Sequence, residues 1–342
     1  MKTTNHRLKK ALKIILITLC SLILLIGLIL LGAHLLTPVI YDDFFDKAIA
    51  EFETPGLDDG LVPQGITYLE DEQLYLQCGF MNDGTAGRIY IFSAAEAATP
   101  RYVKLLSSDG EPYVEHVCGI TTYADFVWLT TDGQGEENCV WVLSLSELLA
   151  VPNGGSITLE KRFYPQTNAS YCTVEGDYLW IGEFYREQNY PTDPTHHFTV
   201  ANGVVHHSLV AVYRIDTTAE LGIADLTPVC MLSVPDLAQG FAITEDGNFI
   251  VSSSYAIASS LLYIYQPLEE LTPDASINKD NTSIPVYFLD DEALDRLVVA
   301  PPMSEGIIVK DGRLVILFES ACKKYIFGNF MRGRPVYSIP LE

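Results

Sequence analysis

The sequence has 342 residues, and 44 acidic against 21 basic side chains give it a formal net charge of -23 at pH 7. An acidic surface disfavours nucleic acid as a partner, because phosphates are bound by Lys and Arg, and it disfavours a domain that lies flat on anionic lipid. The general effect of such a charge is solubility.

The first feature along the chain is an uncharged, apolar stretch at residues 14–33. At about 1.5 Å per residue, a helix over this stretch is long enough to cross a bilayer. The cations before it predict a cytoplasmic N-terminus, because positive residues stay on the cytoplasmic side. A cleaved signal peptide is the alternative, although its apolar part is usually about 7–15 residues long. The cations are Lys2, Arg7, Lys9, Lys10 and Lys13.

These signals divide the chain into four parts and predict a single-pass protein of the cell membrane. Residues 1–13 form a cytoplasmic basic tail, and residues 14–33 form the transmembrane anchor. Residues 34–59 form a linker that also holds a strand for closing the domain that follows. Residues 60–342 form the extracytoplasmic domain, so the membrane is a predicted partner and nucleic acid is not.

The extracytoplasmic domain is predicted to be all-β. Short runs of β-branched and aromatic residues are separated by turn-forming pairs, and helical periodicity is almost absent. Five strand pairs begin in the same way at intervals of roughly 50 to 70 residues, which indicates a repeated unit. The first apolar residues of these units are Ile66, Ile120, Cys172, Phe241 and Ile307.

Each unit continues with further apolar strands, and four antiparallel strands repeated around a ring make a β-propeller. We predict five blades, and the two longer intervals leave a sixth open. The fifth unit lacks a fourth strand, and we expect residues 37–45 to supply it and close the ring. The predicted third strands are 87–92, 138–145, 207–215, 260–266 and 334–341, and the predicted fourth strands are 101–106, 157–164, 228–235 and 284–290.

The cysteines leave two interpretations open. An even number in an exported domain permits disulfides, while their wide spacing, mostly inside apolar strands, equally suits small buried residues. A structural zinc site is not expected, because the Cys and His residues lack the spacing of zinc ligands. The six cysteines after the apolar stretch are Cys78, Cys118, Cys139, Cys172, Cys230 and Cys322.

The starts of the first strands predict where a binding site would lie. In a propeller the first strand of each blade lines the central channel, where backbones crowd and glycine suits the close approach. These glycines are Gly65, Gly119, Gly240 and Gly306. The residues just before them are expected at the mouth of the channel. They are Gln64, Cys118, Gln239 and Glu305, with Ser170 as the equivalent in the third unit.

The second strand of each blade runs antiparallel to the first, so its end returns to the mouth. This predicts that Glu183, Ser252 to Tyr255, Glu319 and Ser320 lie near the residues above, with Asp132 on the same face. His116 is expected on the approach to Cys118.

Several phrases also carry a resemblance. They are VPQGITY, HVCGIT, LWIGEFY, QGFAITEDGNFIVSSSY and EGI…LFESACKKY. In this order, across residues 60–326, the chain resembles an uncharacterised family of bacterial exported propellers. It is also similar to the wider superfamily of gluconolactonases and paraoxonase-like lactonases. That resemblance implies a calcium ion in the channel, held by Glu305 with Gln64 and Gln239 as amide neighbours.

The first function that we consider is binding. A propeller presents a rigid face with variable loops, and it needs no catalytic group to hold a small molecule, a glycan or another envelope ligand. The polar insertion at residues 186–207 fits this interpretation, since it is placed to form a flap beside the mouth. We favour this function, with the ligand at the channel mouth. The residues expected to bind it are Gln64, Ser170, Glu183, Gln239, Tyr255 and Glu319.

Two enzymatic alternatives stay open. The superfamily resemblance implies a calcium-dependent hydrolase of the lactonase or esterase type, with Glu305 on the metal and His116 as general base. The residues themselves name no cofactor. A glycoside hydrolase needs two carboxylates about 5–10 Å apart, for which Glu183, Glu305 and Glu319 are candidates. Aromatic residues that could stack on a sugar are Trp180, Tyr185, Tyr190 and Tyr255.

Overall fold

The computed structural model describes residues 2–132, 138–279, 281–325 and 328–341, with side chains described from residue 9 onward. The region after the N-terminal helix is a ring of β-sheets, each built on four antiparallel strands. The described residues form five such blades, which confirms the predicted all-β propeller and the lower of the two blade numbers. From the channel outward, consecutive strands of one blade are paired antiparallel, so they alternate in direction.

The strand bounds follow the predicted units closely. Blade 1 consists of Leu61–Leu69, Leu74–Met81, Arg88–Phe92 and Arg101–Leu106. Blade 2 consists of Val117–Tyr123, Phe126–Thr131, Cys139–Ser144 and Lys161–Phe163. Blade 3 consists of Tyr171–Glu175, Tyr178–Gly182, Ser208–Arg214 and Cys230–Val234. Blade 4 consists of Ala238–Ile243, Asn248–Ser253, Ser260–Pro267 and Leu294–Ala300, and blade 5 of Ser304–Lys310, Arg313–Phe318, Pro335–Pro340 and Ile49–Glu53.

Two predicted outer strands are assigned differently by the structure. Residues 284–290 were expected in blade 4, but Thr282–Phe288 pairs in parallel with Cys230–Val234 and so extends blade 3. Ala275–Lys279 adds a further strand there. The fourth strand of blade 4 is Leu294–Ala300, whose hydrogen bonds to Ser260–Pro267 complete that sheet.

The predicted strand at 157–164 is divided between two blades. Ser156–Thr158 pairs in parallel with the outer strand of blade 1. Lys161–Phe163 is the outer strand of blade 2. Outer strands are easily misassigned from sequence, because an apolar segment between two blades can pair with the edge strand of either blade.

The strand that closes the ring also differs from the prediction. Residues 37–45 are helical, because the N-terminal helix continues through Lys2–Ile40 and a short helix follows at Asp42–Phe45. Ile49–Glu53 pairs with Pro335–Pro340 instead, and it supplies the fourth strand of blade 5. The ring is therefore closed by joining a strand from the start of the domain to strands from its end.

The remaining elements are short. A helix lies at Leu145–Ala150, and a two-stranded ribbon joins Phe198–Thr199 to Val205–His206 within the insertion of blade 3. Single 3-10 turns lie at Leu57–Asp59, Ala94–Glu96, Pro194–His196, Leu268–Glu270 and Gly328–Phe330. The N-terminal helix is long and apolar enough over Lys9–Ile40 to cross a membrane.

The hydrophobic core is divided among the spaces between neighbouring blades. Separate clusters of buried side chains lie between each successive pair, and the last one joins blade 5 to blade 1. At the centre the five inner strands meet as a closed ring. A Cβ atom on Gly65 would lie 2.8 Å from the Cα of Gly119, which confirms that these glycines permit a close backbone approach.

All seven cysteines are free thiols in this structure. Cys78, Cys118, Cys139, Cys230 and Cys322 are buried, and Cys172 is half-buried. Of the two interpretations, small buried residues therefore describe most of the six cysteines after the N-terminal helix, and all of these except Cys322 lie in strands.

Candidate functional site

A cavity of about 150 Å³ opens at the end of the channel where the first strands begin, the predicted mouth. The structure brings together most of the residues expected there. Those that line the cavity are Gln64, His116, Cys118, Asp132, Ser170, Gln239, Ser254, Tyr255, Glu305 and Glu319.

The inner strands present these side chains through a shared irregularity. The pairing of the first and second strands shifts between Pro63 and Gly65, and between Ala238 and Gly240. Blades 2 and 5 show the same shift at Val117/Ile120 and Ser304/Ile307. A β-bulge places an extra residue on one strand and re-aims its side chain. In four blades, therefore, the bulge falls on the residue that faces the cavity.

Two glutamates form the most buried part of the site. Glu305 is 2% exposed and Glu319 is 9% exposed, and their carboxyl groups are hydrogen-bonded to each other. Gln239 Nε2 donates to Glu305 Oε1 at 3.2 Å, and Gln64 Nε2 donates to Glu319 Oε2 at 3.0 Å. The two amides therefore orient the pair from opposite sides.

Burial controls the protonation of this pair. It raises the pKa of Glu305 well above its ordinary value, and the charge of Glu319 raises it further. Burial also raises the pKa of Glu319, although the nearby Lys324 ammonium works in the opposite direction. Because two adjacent carboxylates cannot both be charged without a large energy cost, the pair holds one proton near neutral pH.

His116 lies beside the pair and is neutral. Its Nε2 is 2.9 Å from Gln64 Oε1, and since an amide oxygen only accepts, the proton is on Nε2. Burial, with a smaller contribution from Lys324, lowers the pKa of His116 to about 4. The ring also packs edge-on against Phe80, with the ring centroids 4.7 Å apart. Nδ1 is thus left as a potential proton acceptor.

Asp132 forms a second acidic position. Ser170 Oγ donates to Asp132 Oδ2 at 2.8 Å and accepts from the backbone N–H of Phe184 at 3.0 Å. Burial is the main reason that the pKa of Asp132 is raised to about 6, and the charge of Glu183 adds to it. Asp132 is therefore ionised at neutral pH but protonated in mild acid.

Glu183 does not face the cavity, contrary to the prediction. It is 1% exposed and accepts hydrogen bonds from the backbone N–H groups of Asn168 and Leu209 and from His196 Nδ1. The next residue, Phe184, lines the cavity instead. Through these hydrogen bonds Glu183 connects the insertion of blade 3, at His196, to the third strand of that blade, at Leu209.

Other predicted mouth residues also have structural surroundings. Ser252 Oγ lies 2.6 Å from Ser304 Oγ, and Ser253 Oγ donates to the carbonyl of Asp236. Trp180 stacks on Phe241 in the core, and Tyr185 stacks on His207 within the insertion. Ser320 is buried and does not line the cavity. The sugar-stacking role is therefore left to Tyr190 and Tyr255, which do line it.

Six cavity residues were not singled out from the sequence as site residues, and they have different origins. Met303 has a positive φ of 66°, a rare conformation that places it at the entrance to blade 5. Lys324 and Tyr325 follow the second strand of blade 5, a few residues after the predicted mouth residues Glu319 and Ser320. The full set is Phe80, Phe184, Ala256, Met303, Lys324 and Tyr325.

The side chains at the mouth do not fit a calcium ion. Calcium binds about 6–8 oxygen atoms, several of them charged. Among the described residues of the mouth, the buried carboxyl groups are those of Glu305 and Glu319 alone, and both neighbouring amides direct their N–H₂ groups, not their oxygen atoms, toward them. Within residues 9–132, 138–279, 281–325 and 328–341, no group of three or more His, Cys, Asp or Glu side chains is arranged to hold a metal ion.

Comparisons with known proteins add similarity of shape. Neither a protein-family model nor a curated protein matches the sequence. The glutaminyl cyclase of Myxococcus xanthus is 12% identical, with a TM-score of 0.42 over 79% of this chain and 90% of that one. The PQQ-bound aldose sugar dehydrogenase of Streptomyces coelicolor is 16% identical, with a TM-score of 0.43 over 86% of this chain and 81% of that one. At TM-scores below 0.5, neither likeness supports a conclusion about chemistry.

Proposed function

We propose that this chain is a membrane-tethered, extracytoplasmic propeller that binds a small ligand in the cavity at its channel mouth. The observation on which the proposal rests is the unpaired, buried hydroxyl group of Ser254. Its side chain is 3% exposed and lines the cavity, and its hydroxyl has no hydrogen-bond partner among the described residues. A buried hydroxyl is costly to leave unpaired, so a ligand that bonds to it would remove that cost.

The walls of the cavity support binding of a small molecule. The lining combines the acidic side chains of Glu305, Glu319 and Asp132 with five aromatic rings. Small-molecule sites typically combine an apolar lining with a few well-placed polar groups. The rings are those of Phe80, Phe184, Tyr190, Tyr255 and Tyr325.

The tether is supported by the N-terminal helix. Its apolar part meets the length needed for a membrane span, and the basic residues before it favour a cytoplasmic N-terminus. The helix continues beyond the apolar part to Ile40 and contacts the turn at Gly328–Phe330, and Phe44 after it packs against Phe318 of blade 5. A segment that packs in this way favours a retained anchor over a cleaved signal peptide.

The calcium-dependent hydrolase is less well supported, because the side chains at the mouth do not fit that ion. The glycoside hydrolase is also disfavoured. Glu183 lies outside the cavity, and Glu305 and Glu319 interact with each other rather than standing on opposite sides of a space for a sugar. A metal-free hydrolase keeps one favourable observation, since a carboxyl pair with one proton and the neutral His116 could act as acid and base.

A steric block tests the proposal. The full-length chain in neutral detergent would be screened with small amines, sugars and phosphate esters, and its thermal midpoint recorded. Ala256 lines the cavity, so Ala256→Trp should abolish any stabilisation by a ligand. Ala258, an exposed residue of the same loop that does not line the cavity, gives the matched control Ala258→Trp. Stabilisation that persists in Ala256→Trp would place the ligand elsewhere and contradict the proposal.

A further inference from the structure

The N-terminal helix reaches the propeller on the same face as the cavity. Tyr41 Oη lies 3.1 Å from Ser259 Oγ, and Ser259 belongs to the loop whose residues Ser254, Tyr255 and Ala256 line the cavity. Arg332 Nε donates to the backbone carbonyl of His34 at 3.3 Å. Arg332 precedes the third strand of blade 5, which begins at the mouth because the second strand ends there.

The bond to His34 has a cause in the sequence. A proline has no N–H, so Pro38 cannot donate to the carbonyl four residues before it, which is that of His34. The free carbonyl is then available to Arg332. The apolar stretch ends at Ala33, directly beside this contact. The end of the apolar stretch is therefore fixed against the rim of the mouth.

The chain after the helix runs away from the mouth. Phe44 packs against Phe318 and Tyr337 on the side of blade 5. The carbonyl of Lys47 accepts from Arg313, which begins the second strand of blade 5 at the opposite end of the blade. The helix is therefore attached at the mouth face. The linker after it runs along the side of blade 5 to the opposite face of the ring, where the closing strand begins.

Charge at the mouth is arranged in two layers. The acidic groups of Glu305 and Glu319 are buried, whereas Lys324 is exposed at the entrance, with its Nζ 4.6 Å from the centroid of the Phe80 ring. The Arg186 guanidinium lies 4.3 Å over the ring of Tyr255, which also lines the cavity. A ligand that enters this site would thus meet cations at the entrance and carboxyl groups inside.

We infer that the mouth faces the membrane and binds a membrane lipid by a head group that ends in a primary ammonium and carries a phosphate. The ammonium would enter the cavity, donating to the carboxyl pair and to Ser254, while aromatic rings surround it. The phosphate would stay at the entrance near Lys324 and Arg186. This inference rests on the proposed binding function and on the helix as a membrane anchor.

The orientation can be measured without knowing the ligand. In full-length protein with Cys20→Ser, a fluorophore would be attached to Ile257→Cys or to Asp246→Cys. Ile257 is 64% exposed in the loop beside the cavity, and Asp246 lies in the turn before the second strand of blade 4, at the far face. In lipid nanodiscs with nitroxide-labelled head groups, we expect strong quenching at residue 257 and little at 246. Equal quenching, or stronger quenching at 246, would overturn the inferred orientation.

The head group is tested by comparing short-chain lipids below their micelle concentrations. Dihexanoylphosphatidylethanolamine should bind the full-length chain at least about tenfold more tightly than dihexanoylphosphatidylglycerol, which lacks the ammonium. Glu319→Gln should remove this preference, because the remaining buried carboxyl stays protonated. Glu245→Gln, an exposed acid on the far face, is its control. Lys324→Gln should weaken binding of the ethanolamine lipid, and Lys323→Gln, whose side chain lies outside the cavity, should not.

Soluble phosphoethanolamine distinguishes a lipid head group from a free small molecule that carries the same ammonium and phosphate groups. Weaker binding of the soluble compound than of the lipid supports a membrane ligand, and equal binding overturns that part of the inference. If neither lipid binds but another solute stabilises the protein in a manner that Ala256→Trp removes, the head group is wrong and the proposed binding function stands. If no solute or lipid stabilises the protein in a manner that Ala256→Trp removes, both the proposed binding function and the inferred lipid ligand are wrong.

Discussion

Asp132 is the acid whose ionisation should be easiest to read in the protein's stability. Its pKa is raised to about 6 in the folded protein from an ordinary value of 3.8. A raised carboxyl pKa stabilises the folded state fully below the unfolded value, and this stabilisation is lost as the pH rises through the folded value. Asp132→Asn removes the titration and keeps an acceptor for Ser170.

We therefore expect the wild type to lose about 1.4 kcal/mol relative to Asp132→Asn between pH 5 and pH 8. Urea unfolding of both full-length proteins at the two pH values measures this difference. The other acids titrate in both proteins, so the comparison isolates Asp132. A difference between the proteins that does not change with pH would show that the pKa is not raised.

For single residues, the sequence predicted which side chains lie at the mouth better than it predicted the groups to which they are hydrogen-bonded. Gln64 and Glu305 could be placed at the mouth because each precedes a glycine at the start of an inner strand. The direction of Glu183 could not be predicted, since it depends on His196 and on two backbone N–H groups that an insertion brings close. Lys324 was missed because nothing local in the sequence shows where the chain turns after Glu319.

The inner strands depend on close contact between backbones, and Gly65 gives a direct test of this. A Cβ atom there would lie 2.8 Å from Gly119 Cα and from Ile120 N. Since backbone atoms cannot move away cheaply, Gly65→Ala should destabilise the fold by about 2–3 kcal/mol.

Gly84→Ala is the comparison for this substitution. Gly84 has open space around it but a φ of +74°, so alanine there should cost only about 1 kcal/mol, from backbone strain. Chemical denaturation of the two variants would rank them. A smaller loss at Gly65 than at Gly84 would mean that the channel is wider than described.

For whole strands, the repeated pattern predicts the inner three of each blade more reliably than the outer one. An inner strand has a fixed neighbour on each side, whereas an outer run can join the sheet before it or the one after it. Thr282–Phe288 and Leu294–Ala300 illustrate this, because both alternate in burial and either could complete blade 4. Their pairing is decided by the loop between them, which no periodicity describes.

Across the molecule, the ring should be most sensitive to the contacts of its closing strand. Phe52 is buried and packs on Tyr75 and Phe92 of blade 1, with ring centroids 4.8 Å and 5.3 Å away. Phe52→Ala should destabilise the protein by about 3–5 kcal/mol, because it opens a cavity where blades 5 and 1 meet.

Ile49 in the same strand is 51% exposed, so Ile49→Ala should change stability by no more than about 0.5 kcal/mol. Thermal unfolding of the full-length variants would compare the two positions. Equally small losses of stability in both variants would contradict the prediction. They would mean that the side chain of Phe52 contributes little and that the strand stabilises the ring through its backbone hydrogen bonds. The predicted five-blade ring did not reveal this strand, because the apolar pattern at 37–45 belongs to a helix.

The position of the closing strand also has a consequence for how the protein is made. Ile49–Glu53 leaves the ribosome before any other strand of the ring, and its partner Pro335–Pro340 is synthesised after the strands of the other four blades. Domains fold as their residues emerge, but here the first strand must wait unpaired until residues 335–340 have been synthesised. A helix held in the bilayer would keep the waiting strand close to the membrane throughout. A nascent chain halted before residue 335 would therefore expose unpaired strand edges, and we expect it to be a substrate for quality-control proteases.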